Sequence, residues 1–323
     1  MSTVLVTGAT GHLGNVLVRE LVNCGRRIRV LVHPRDNLHA LQMLPIEVVY
    51  SDVRDDFSDA LFGVETIFHL ASIISITPSR RKELYSVNVG GTQNVMSLAK
   101  MYKIPLIYVS SAHAFSEMGP GSIITEETPI DESRTIGDYA KSKAMATKLV
   151  FNAFDEGLEG FIVFPTGIFG PYDFKNSYFS NVMRKYHEGR LKITVKGKFD
   201  FVDVRDLVHA MVELYRQFIS DERNQIVNGE GFIISGNDIY FEELPRLCGL
   251  SNYRILGDSL ADFVSYLSLF GTYFSIPSEF VPYALHTIRL DCKFSHDKVS
   301  KITNYAPREV EESVNDFFNW LNG

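Results

Sequence analysis

The chain has 323 residues, of which 45 % are hydrophobic and 22 % are charged, and its formal net charge at pH 7 is −7. This length and composition predict one large α/β domain, or two closely joined ones, with an ample buried core. The negative charge excludes nucleic acid as a main partner, because no surplus of lysine and arginine is available to neutralise phosphates.

The first half of the chain alternates short β-branched runs with longer helical patterns. Six strands are predicted: Thr3–Gly8, Ile28–His33, Ile46–Asp52, Thr66–Ser72, Leu106–Ala112 and Gly160–Thr166. Between them lie three predicted helices: Asn15–Cys24, Tyr85–Tyr102 and Tyr139–Glu156. Continuous apolar strands that alternate with amphipathic helices are typical of a doubly wound parallel sheet of the Rossmann type.

Beyond residue 170 the alternation is less regular. A helix is predicted over Asn181–Gly189, a strand followed by a helix over Phe199–Tyr215, and a strand, a turn and a helix over Gly231–Gly249. The remainder is mostly helical, and no linker rich in Gly, Ser or Pro marks a clean boundary. We expect a Rossmann domain of residues 1–167 plus about 199–236, and a smaller discontinuous substrate lobe of residues 168–198 and 237–323.

The cysteines and the segment Ala261–Ile276 bear on location. Three scattered cysteines, Cys24, Cys248 and Cys292, form neither a disulfide framework nor a metal cluster, so we expect a reducing cytoplasm and no metal site. The start of the sequence lacks the features of a signal peptide. Ala261–Ile276 is apolar and aromatic but too short to span a bilayer, so we expect no stable membrane span. An interfacial anchor stays open beside the favoured prediction, a buried helix over an apolar substrate pocket.

A glycine-rich turn links the first strand to the first helix. In "VTGATGHLGN", Gly8, Gly11 and Gly14 let the chain turn sharply and bring backbone N–H groups against a pyrophosphate at the positive end of a helix. Glycines alone can be mere turn residues, but a position between a strand and a helix is the context that the motif requires. We therefore predict dinucleotide binding, with the remaining loop residues also at the cofactor: Thr10, His12 and Leu13.

The end of the second strand bears on the choice of dinucleotide. Enzymes that use NAD commonly have an acidic residue there, which holds the ribose 2′-hydroxyl. This chain has His33, with Arg35 two residues later, and this arrangement favours the 2′-phosphate of NADP. Asp36, and the alternative that Arg35 simply faces solvent, leave NAD open.

Tyr139 and Lys143 lie four residues apart in "GDYAKSKA", at the start of a predicted helix. At about 100° per residue, Lys143 lies roughly 40° around the helix from Tyr139, so both side chains can face one cleft. We expect the ammonium to lower the pKa of the phenol from about 10, so that Tyr139 can exchange a proton with a carbonyl or alcohol. Ser111 ends a strand at the sheet edge where ligands bind, and its hydroxyl can hold the reacting oxygen.

Eight motifs together resemble the extended short-chain dehydrogenases/reductases, in the NAD-dependent epimerase/dehydratase superfamily. They occur in family order and cover nearly the whole chain: "TGATGHLG", "SDVRD", "FHLAS", "NVGGTQN", "VSSAHAF", "YAKSK", "FPTGIFGP" and "FVDVRDLVHA". The C-terminal part is most similar to the dihydroflavonol-reductase and 3β-hydroxysteroid-dehydrogenase branch. Through helices Tyr85–Tyr102 and Tyr139–Glu156 the resemblance also implies a homodimer.

The resemblance implies roles for individual residues. Ser111, Tyr139 and Lys143 match the catalytic triad, and Lys143 is also expected to hold the nicotinamide ribose. The other implied cofactor contacts are the adenine at Asp52 and Val53, the pyrophosphate and ribose path along Leu70 and Ala71, the cofactor side at Asn88, and the carboxamide at Pro165 and Thr166. Asn88 begins a predicted helix, so a capping role competes with its cofactor role. Phe164 replaces the Arg or Asn of many relatives, and we expect that part of the pocket to be reshaped.

These observations predict an NAD(P)-dependent oxidoreductase that acts on the carbonyl or alcohol of a small, fairly apolar substrate, with Tyr139 as general acid and base. The alternative is a nucleotide-sugar epimerase or dehydratase with retained NAD, which needs a diphosphate site in the C-terminal lobe, where residues 176–197 include Asn181, Arg184 and Lys185. A third hypothesis is a nucleotide sensor or scaffold without catalysis, and the intact Ser, Tyr and Lys set argues against it.

Overall fold

Short strands, most of them parallel, form the framework of the protein. The computed structural model describes residues 3–75, 80–220, 226–272 and 281–323. The strands among these residues are β1 (Thr3–Thr7), β2 (Arg27–Val32), β3 (Ile46–Tyr50), β4 (Val64–His69), β5 (Leu106–Val109), β6 (Ile123–Ile124), β7 (Gly160–Pro165), β8 (Gly167–Phe169), β9 (Ile193–Val195), β10 (Lys198–Asp203), β11 (Gly231–Ile234), β12 (Asn237–Tyr240), β13 (Arg254–Leu256) and β14 (Lys293–Phe294).

Seven of these strands form one parallel sheet in the order β11-β7-β5-β4-β1-β2-β3. The chain runs outward from β1 through β2 to β3, then returns to the other side of β1 at β4. This reversal opens a crevice at the carboxyl ends of β1 and β4, which is where open α/β sheets bind ligands. The predicted fold class is confirmed, and all six predicted strands are present with ends that differ by no more than three residues.

Helices cover both faces of this sheet. They are α1 (His12–Asn23), α2 (Arg81–Tyr85), α3 (Thr92–Tyr102), α4 (Asp138–Asp155), α5 (Tyr178–His187), α6 (Val204–Phe218), α7 (Leu244–Leu247), α8 (Asp258–Thr272), α9 (Pro282–Arg289), α10 (Asp297–Thr303) and α11 (Val310–Asn322). On one face α1 and α6 bury apolar residues such as Leu17 and Met211. On the other, α3 and α4 bury Val95 and Val150. Helix α4, which carries Tyr139 and Lys143, therefore has its apolar side fixed in a core.

The helix predicted over Tyr85–Tyr102 begins earlier and is irregular. Helical turns start at Arg81, and a π-helical segment, Ser86–Gly91, joins α2 to α3. Asn88 lies inside this segment. The prediction that Asn88 caps a helix is therefore wrong, because the turns before it already supply helical backbone. Single π-helical turns inside helices occur frequently at functional sites.

The C-terminal part of the protein has a core of its own. Its buried residues include Phe179, Phe201 and Phe317, and the rings of Phe179 and Phe201 stack with centroids 3.9 Å apart. Of the segment Ala261–Ile276, residues 261–272 belong to α8, and residues 273–276 lie outside the described residues. Among the residues that the structure describes, no helix combines the length and the apolar character needed to cross a bilayer.

Gly160 begins β7 where two strands approach closely, and this contact predicts a stability difference. A Cβ at Gly160 (φ +148°) would lie 1.9 Å from the Leu106 carbonyl oxygen, whereas one at Gly157 (φ +95°) would have no neighbour within 4 Å. We expect Gly160→Ala to lower the free energy of unfolding by about 1–3 kcal/mol more than Gly157→Ala, since both suffer backbone strain but only one overpacks. Urea unfolding followed by circular dichroism measures this, and equal losses would contradict it.

Candidate active site

The glycine loop after β1 lies against the segment after β4. Gly8 has φ +71°, and a Cβ there would come within 2.7 Å of the Ala71 nitrogen and 2.8 Å of the Leu70 carbonyl carbon. A Cβ at Gly14 would lie 2.2 Å from the Gly8 oxygen. These close approaches explain why glycine is needed, and they bring Gly8, Leu70 and Ala71 together, while the cofactor roles of these residues stay a prediction.

The side chains of the other loop residues are largely engaged by the protein itself. Leu13 is buried in the core, and His12 Nε2 lies 2.9 Å from the Pro171 carbonyl oxygen. The Gly11 N–H donates to the Gly8 oxygen at 3.0 Å. What the loop offers to a ligand is therefore the first-turn N–H groups of α1, which have no intrahelical acceptor and attract anions.

Asp36, which the sequence reasoning noted only as an obstacle to NADP, contacts the glycine loop directly. Its carboxylate accepts a hydrogen bond from Thr10 Oγ1 at 2.6 Å and pairs with Lys175 Nζ at 3.0 Å. Burial opposes ionisation of Asp36, but the Thr10 and Lys175 hydrogen bonds outweigh it, so its pKa is lowered. Lys175 was not identified from the sequence, because it lies 139 residues from Asp36.

Next to this group, His33 and Asp52 come together at the ends of β2 and β3. His33 Nε2 lies 3.4 Å from Asp52 Oδ2, and Arg54 Nε donates to Asp52 Oδ1 at 2.9 Å. The hydrogen bond from Arg54 lowers the pKa of Asp52 to about 2. The Arg35 side chain is exposed and has no ion pair among the described residues.

Ser111 and Tyr139 meet at the carboxyl end of β5. Ser111 has extended backbone, and its Oγ accepts a hydrogen bond from the His113 N–H at 3.2 Å. Burial raises the pKa of Tyr139, and the nearby Ser111 hydroxyl opposes this rise. The structure therefore brings together two of the three predicted catalytic residues, through the end of one strand and the first turn of α4.

Lys143 lies one turn further along α4, and its ammonium faces β5. Its Nζ donates to the Val109 carbonyl oxygen at 2.8 Å and to the Tyr108 hydroxyl at 3.2 Å. Desolvation lowers the pKa of Lys143 to about 7. Desolvation also raises the pKa of Tyr139 to about 12, although the hydrogen bond from Ser111 acts in the opposite direction. The expectation that Lys143 lowers the pKa of Tyr139 is thus wrong for this structure, because burial dominates and the ammonium is directed to β5.

Asn88 forms a bridge behind the catalytic helix. Its Oδ1 accepts from the Ile73 N–H at 2.7 Å and from Ser72 Oγ at 3.2 Å. Its Nδ2 donates to the Ile73 oxygen and to Ser142 Oγ, both at 3.0 Å. Its side-chain hydrogen bonds therefore tie the segment after β4 to α4, which is a positioning role that the sequence did not indicate.

The residues around the end of β7 divide into two groups. Pro165 ends the strand, and the buried Thr166 follows it at the same sheet edge as Ser111. Phe164 instead points into the core, where its ring packs against Phe115 with centroids 4.7 Å apart. Phe164 is buried on the α4 face of the sheet and is not itself among the described residues that line the cavity described next, so the reshaping of the pocket by Phe164 stays a prediction.

A cavity that opens to solvent is lined by Ala112 and Ala140, the chain neighbours of Ser111 and Tyr139. Most of its wall is apolar: Phe115, Ile124, Ile136, Phe199, Leu290 and Phe294. Polar groups interrupt this wall at a few points: His113, Ser116, Glu117, Tyr283 and Thr287. A largely apolar pocket with a few polar groups is typical of sites for small organic molecules.

Metal-ligating and thiol groups are dispersed in the part of the chain that the structure describes. No group of three His, Cys, Asp or Glu side chains there is arranged to hold a metal ion. Cys24, Cys248 and Cys292 are free thiols.

Comparison with known proteins identifies the family. Residues 4–228 match the model of the NAD dependent epimerase/dehydratase family. The chain belongs to this family. The chain is 35 % identical to sterol demethylase protein B of Methylococcus capsulatus over 252 residues, 76 % of each chain. It is 26 % identical to a 3 beta-hydroxysteroid dehydrogenase/Delta 5-->4-isomerase of Mycobacterium tuberculosis over 329 residues, 95 % of this chain and 86 % of that one.

Solved structures agree with the family assignment. The crystal structure of gox2253 superposes with a TM-score of 0.82 at 27 % identity and covers 100 % of this chain and 98 % of that one. A UDP-glucuronic acid 4-epimerase from Bacillus cereus, in complex with UDP-glucuronic acid and NAD, gives 0.78 at 17 % identity, with 99 % of each chain covered, and shows the fold alone. The predicted family and the general oxidoreductase class are confirmed.

In this epimerase/dehydratase-family protein, the burial of Lys143 predicts a pH-dependent stability. Its pKa falls from 10.5 to about 7 on folding. Between these values the unfolded chain binds one more proton than the folded chain, so the free energy of unfolding rises with pH across this window. Relative to Lys143→Met, the unsubstituted protein should gain at most about 4 kcal/mol from pH 7 to 10.

Urea unfolding at several pH values, without added nucleotide, measures this gain. Lys143→Met also loses two hydrogen bonds. Their loss shifts the plot of the free energy of unfolding against pH by a constant amount and does not change how its slope compares with that of the unsubstituted protein. Lys148→Met, on the exposed side of α4, serves as the control. Parallel curves for Lys143→Met and the unsubstituted protein would show that Lys143 is not buried as described.

Proposed function

We propose that this protein is an NAD(P)-dependent oxidoreductase that acts on the carbonyl or alcohol group of a small, fairly apolar substrate. The observation that carries the proposal is that Ser111 and Tyr139 come together at the carboxyl end of β5. They adjoin the lining of a mostly apolar cavity and lie at the sheet edge that carries the glycine loop. The reductase and dehydrogenase names of several relatives support it, including a putative dihydroflavonol 4-reductase of Synechocystis, 29 % identical over 72 % of this chain and 68 % of that one.

A dinucleotide fits the residues at the sheet edge. Glycine at positions 8 and 14 lets the loop after β1 pack tightly on itself and against the segment after β4. The first turn of α1 then supplies N–H groups for a pyrophosphate. Asp52 and Val53 would hold the adenine, Lys143 the nicotinamide ribose, and Pro165 and Thr166 the carboxamide. When bound, the nicotinamide supplies or accepts the hydride.

The chain's own residues move the proton. With a pKa of about 12, Tyr139 is protonated at neutral pH and can donate its proton to the substrate oxygen during reduction. Ser111 orients that oxygen by a hydrogen bond. Lys143, whose Nζ donates to the Val109 oxygen and the Tyr108 hydroxyl, is assigned to the nicotinamide ribose and not to the ionisation of Tyr139.

Replacement of Tyr139 by Phe tests this role. We expect kcat to fall about 10²–10⁴-fold, because the substrate oxygen loses its proton donor, while the retained ring leaves dinucleotide binding nearly unchanged. Steady-state turnover and thermal shifts with NADH and NADPH measure the two quantities. Tyr102→Phe, at the exposed end of α3, is the matched control. Near-normal turnover in Tyr139→Phe would refute the assignment.

The epimerase or dehydratase alternative is less well supported. Arg184, considered for a diphosphate, lies on α5 and donates to Asn176 Oδ1 at 2.6 Å, and it is not among the described residues that line the cavity. Tightly bound NAD in the purified protein, together with a thermal shift caused by UDP-sugars, would favour this alternative.

The preference for NADP stays a prediction, and we propose that Asp36 opposes it. Residues after β2 recognise the ribose 2′ position, and Asp36 lies there with its charge against Thr10. We expect Asp36→Asn to raise the affinity for NADPH relative to NADH about tenfold, because a negative charge beside the 2′-phosphate is removed. Fluorescence titration with both dinucleotides measures the ratio. Asp155→Asn, at the exposed end of α4, is the control, and an unchanged ratio would contradict the placement.

A further inference from the structure

Two polar side-chain atoms in the cavity wall lack hydrogen-bond partners among the described residues. They are Tyr283 Oη on α9 and Ser116 Oγ after β5, and both atoms are buried. Buried polar groups in proteins are nearly always hydrogen-bonded, so each exception needs a physical explanation. A ligand in the cavity would satisfy them.

Tyr283 is held firmly beside the catalytic helix. Its ring covers Gly137, where a Cβ would lie 2.4 Å from Tyr283 Cε2. Helix α9 is fixed to the opposite wall by His286 Nε2, which lies 3.0 Å from both carboxylate oxygens of Glu117. The position of the phenol is therefore set by packing, although its hydroxyl has no partner there.

His113 lies between the two tyrosines. Its ring stacks on Phe199 with centroids 5.2 Å apart and an interplanar angle of 5°, and its centroid lies 6.2 Å from the ring of Tyr139 and 6.1 Å from that of Tyr283. Burial lowers the pKa of His113 to about 4, so the ring is neutral at physiological pH. A neutral imidazole presents one donor and one acceptor. The cavity thus has hydrogen-bonding groups on both sides of His113.

We propose that Tyr283 and His113 bind a second oxygen of the substrate, so that the substrate is an apolar compound with a hydroxyl or carbonyl close to the reacting carbonyl. This inference rests on the proposed function, which assigns the first oxygen to Tyr139 and Ser111. Glu117 in the same wall accepts from His286 and from the Ile136 N–H at 3.3 Å, whereas the unpartnered groups of the wall, Tyr283 Oη and Ser116 Oγ, are uncharged. A neutral oxygen is the group that they fit.

A site built to hydrogen-bond a substrate oxygen discriminates strongly against an analogue that lacks it, because the buried polar groups of the site are then left unpaired. Ketones of one ring system can test this property. The probes are 1-tetralone, which has one oxygen, and its 2-hydroxy and 3-hydroxy derivatives, in which a hydroxyl lies one or two carbons from the carbonyl.

Calorimetric titration of each probe into the full chain, saturated with NADP⁺ or NAD⁺, measures the preference. We expect at least one hydroxyketone to bind tenfold or more tightly than 1-tetralone. Tyr283→Phe should reduce this preference to less than threefold, mainly by weakening the hydroxyketone. His113→Phe, which keeps the stack on Phe199, should reduce it as well and serves as the second variant if Tyr283→Phe does not fold. Tyr102→Phe is the surface control.

Equal affinity of the unsubstituted protein for all three probes, or no binding of any, would overturn the inference. So would a preference that survives both cavity substitutions. Turnover of the same probes is a separate measurement. A protein that prefers the hydroxyketone through Tyr283 but oxidises no NAD(P)H with any ketone would leave the second-oxygen site standing and count against the proposed function.

Discussion

The burial of one ammonium group organises the active site. Lys143 is 3 % exposed, and its Nζ donates to the last carbonyl of β5. Taking a charge out of water is unfavourable, so the ammonium needs the carbonyl oxygen of Val109 and the hydroxyl of Tyr108 to remain in place. This requirement fixes α4 in rotation and along its axis. Tyr139, one turn earlier on α4, is thereby positioned beside the side chain of Ser111, which follows the same strand.

A second set of hydrogen bonds, through Asn88, holds α4 from its other side. Asn88 joins Ser142 to the segment after β4, and that segment in turn contacts Gly8 of the loop after β1. Because Ser142 and Lys143 are neighbours, α4 is held to β4 and to β5 within one turn. The groups beneath it stay uncharged: burial lowers the pKa of His69 to about 3, and its ring lies within 3.0 Å of Thr7 and Thr92 hydroxyls. His69 therefore places no second positive charge beside the Lys143 ammonium.

The sequence predicted the structural elements that depend on local sequence pattern. Continuous apolar runs indicated the buried strands, and a glycine turn between a strand and a helix indicated the loop at Gly8. It did not predict contacts between distant segments, such as Lys175 with Asp36, or Tyr283 on Gly137. It also gave the wrong direction for the pKa of Tyr139, because charge proximity can be read from helical spacing, whereas desolvation depends on everything that packs around the phenol.

The contact between Tyr283 and Gly137 joins α9, in the C-terminal part of the chain, to the start of α4. Gly137 has φ +91° and precedes α4, so the turn that starts the catalytic helix is also the surface on which α9 rests. A side chain at position 137 would push Tyr283 away and disturb the first turn of α4 at the same time. A change in α9 that moves Tyr283 therefore acts on the start of α4 as well as on the cavity wall. Under the proposed function, substrate binding at Tyr283 and proton transfer at Tyr139 depend on one backbone position, and we expect them to vary together.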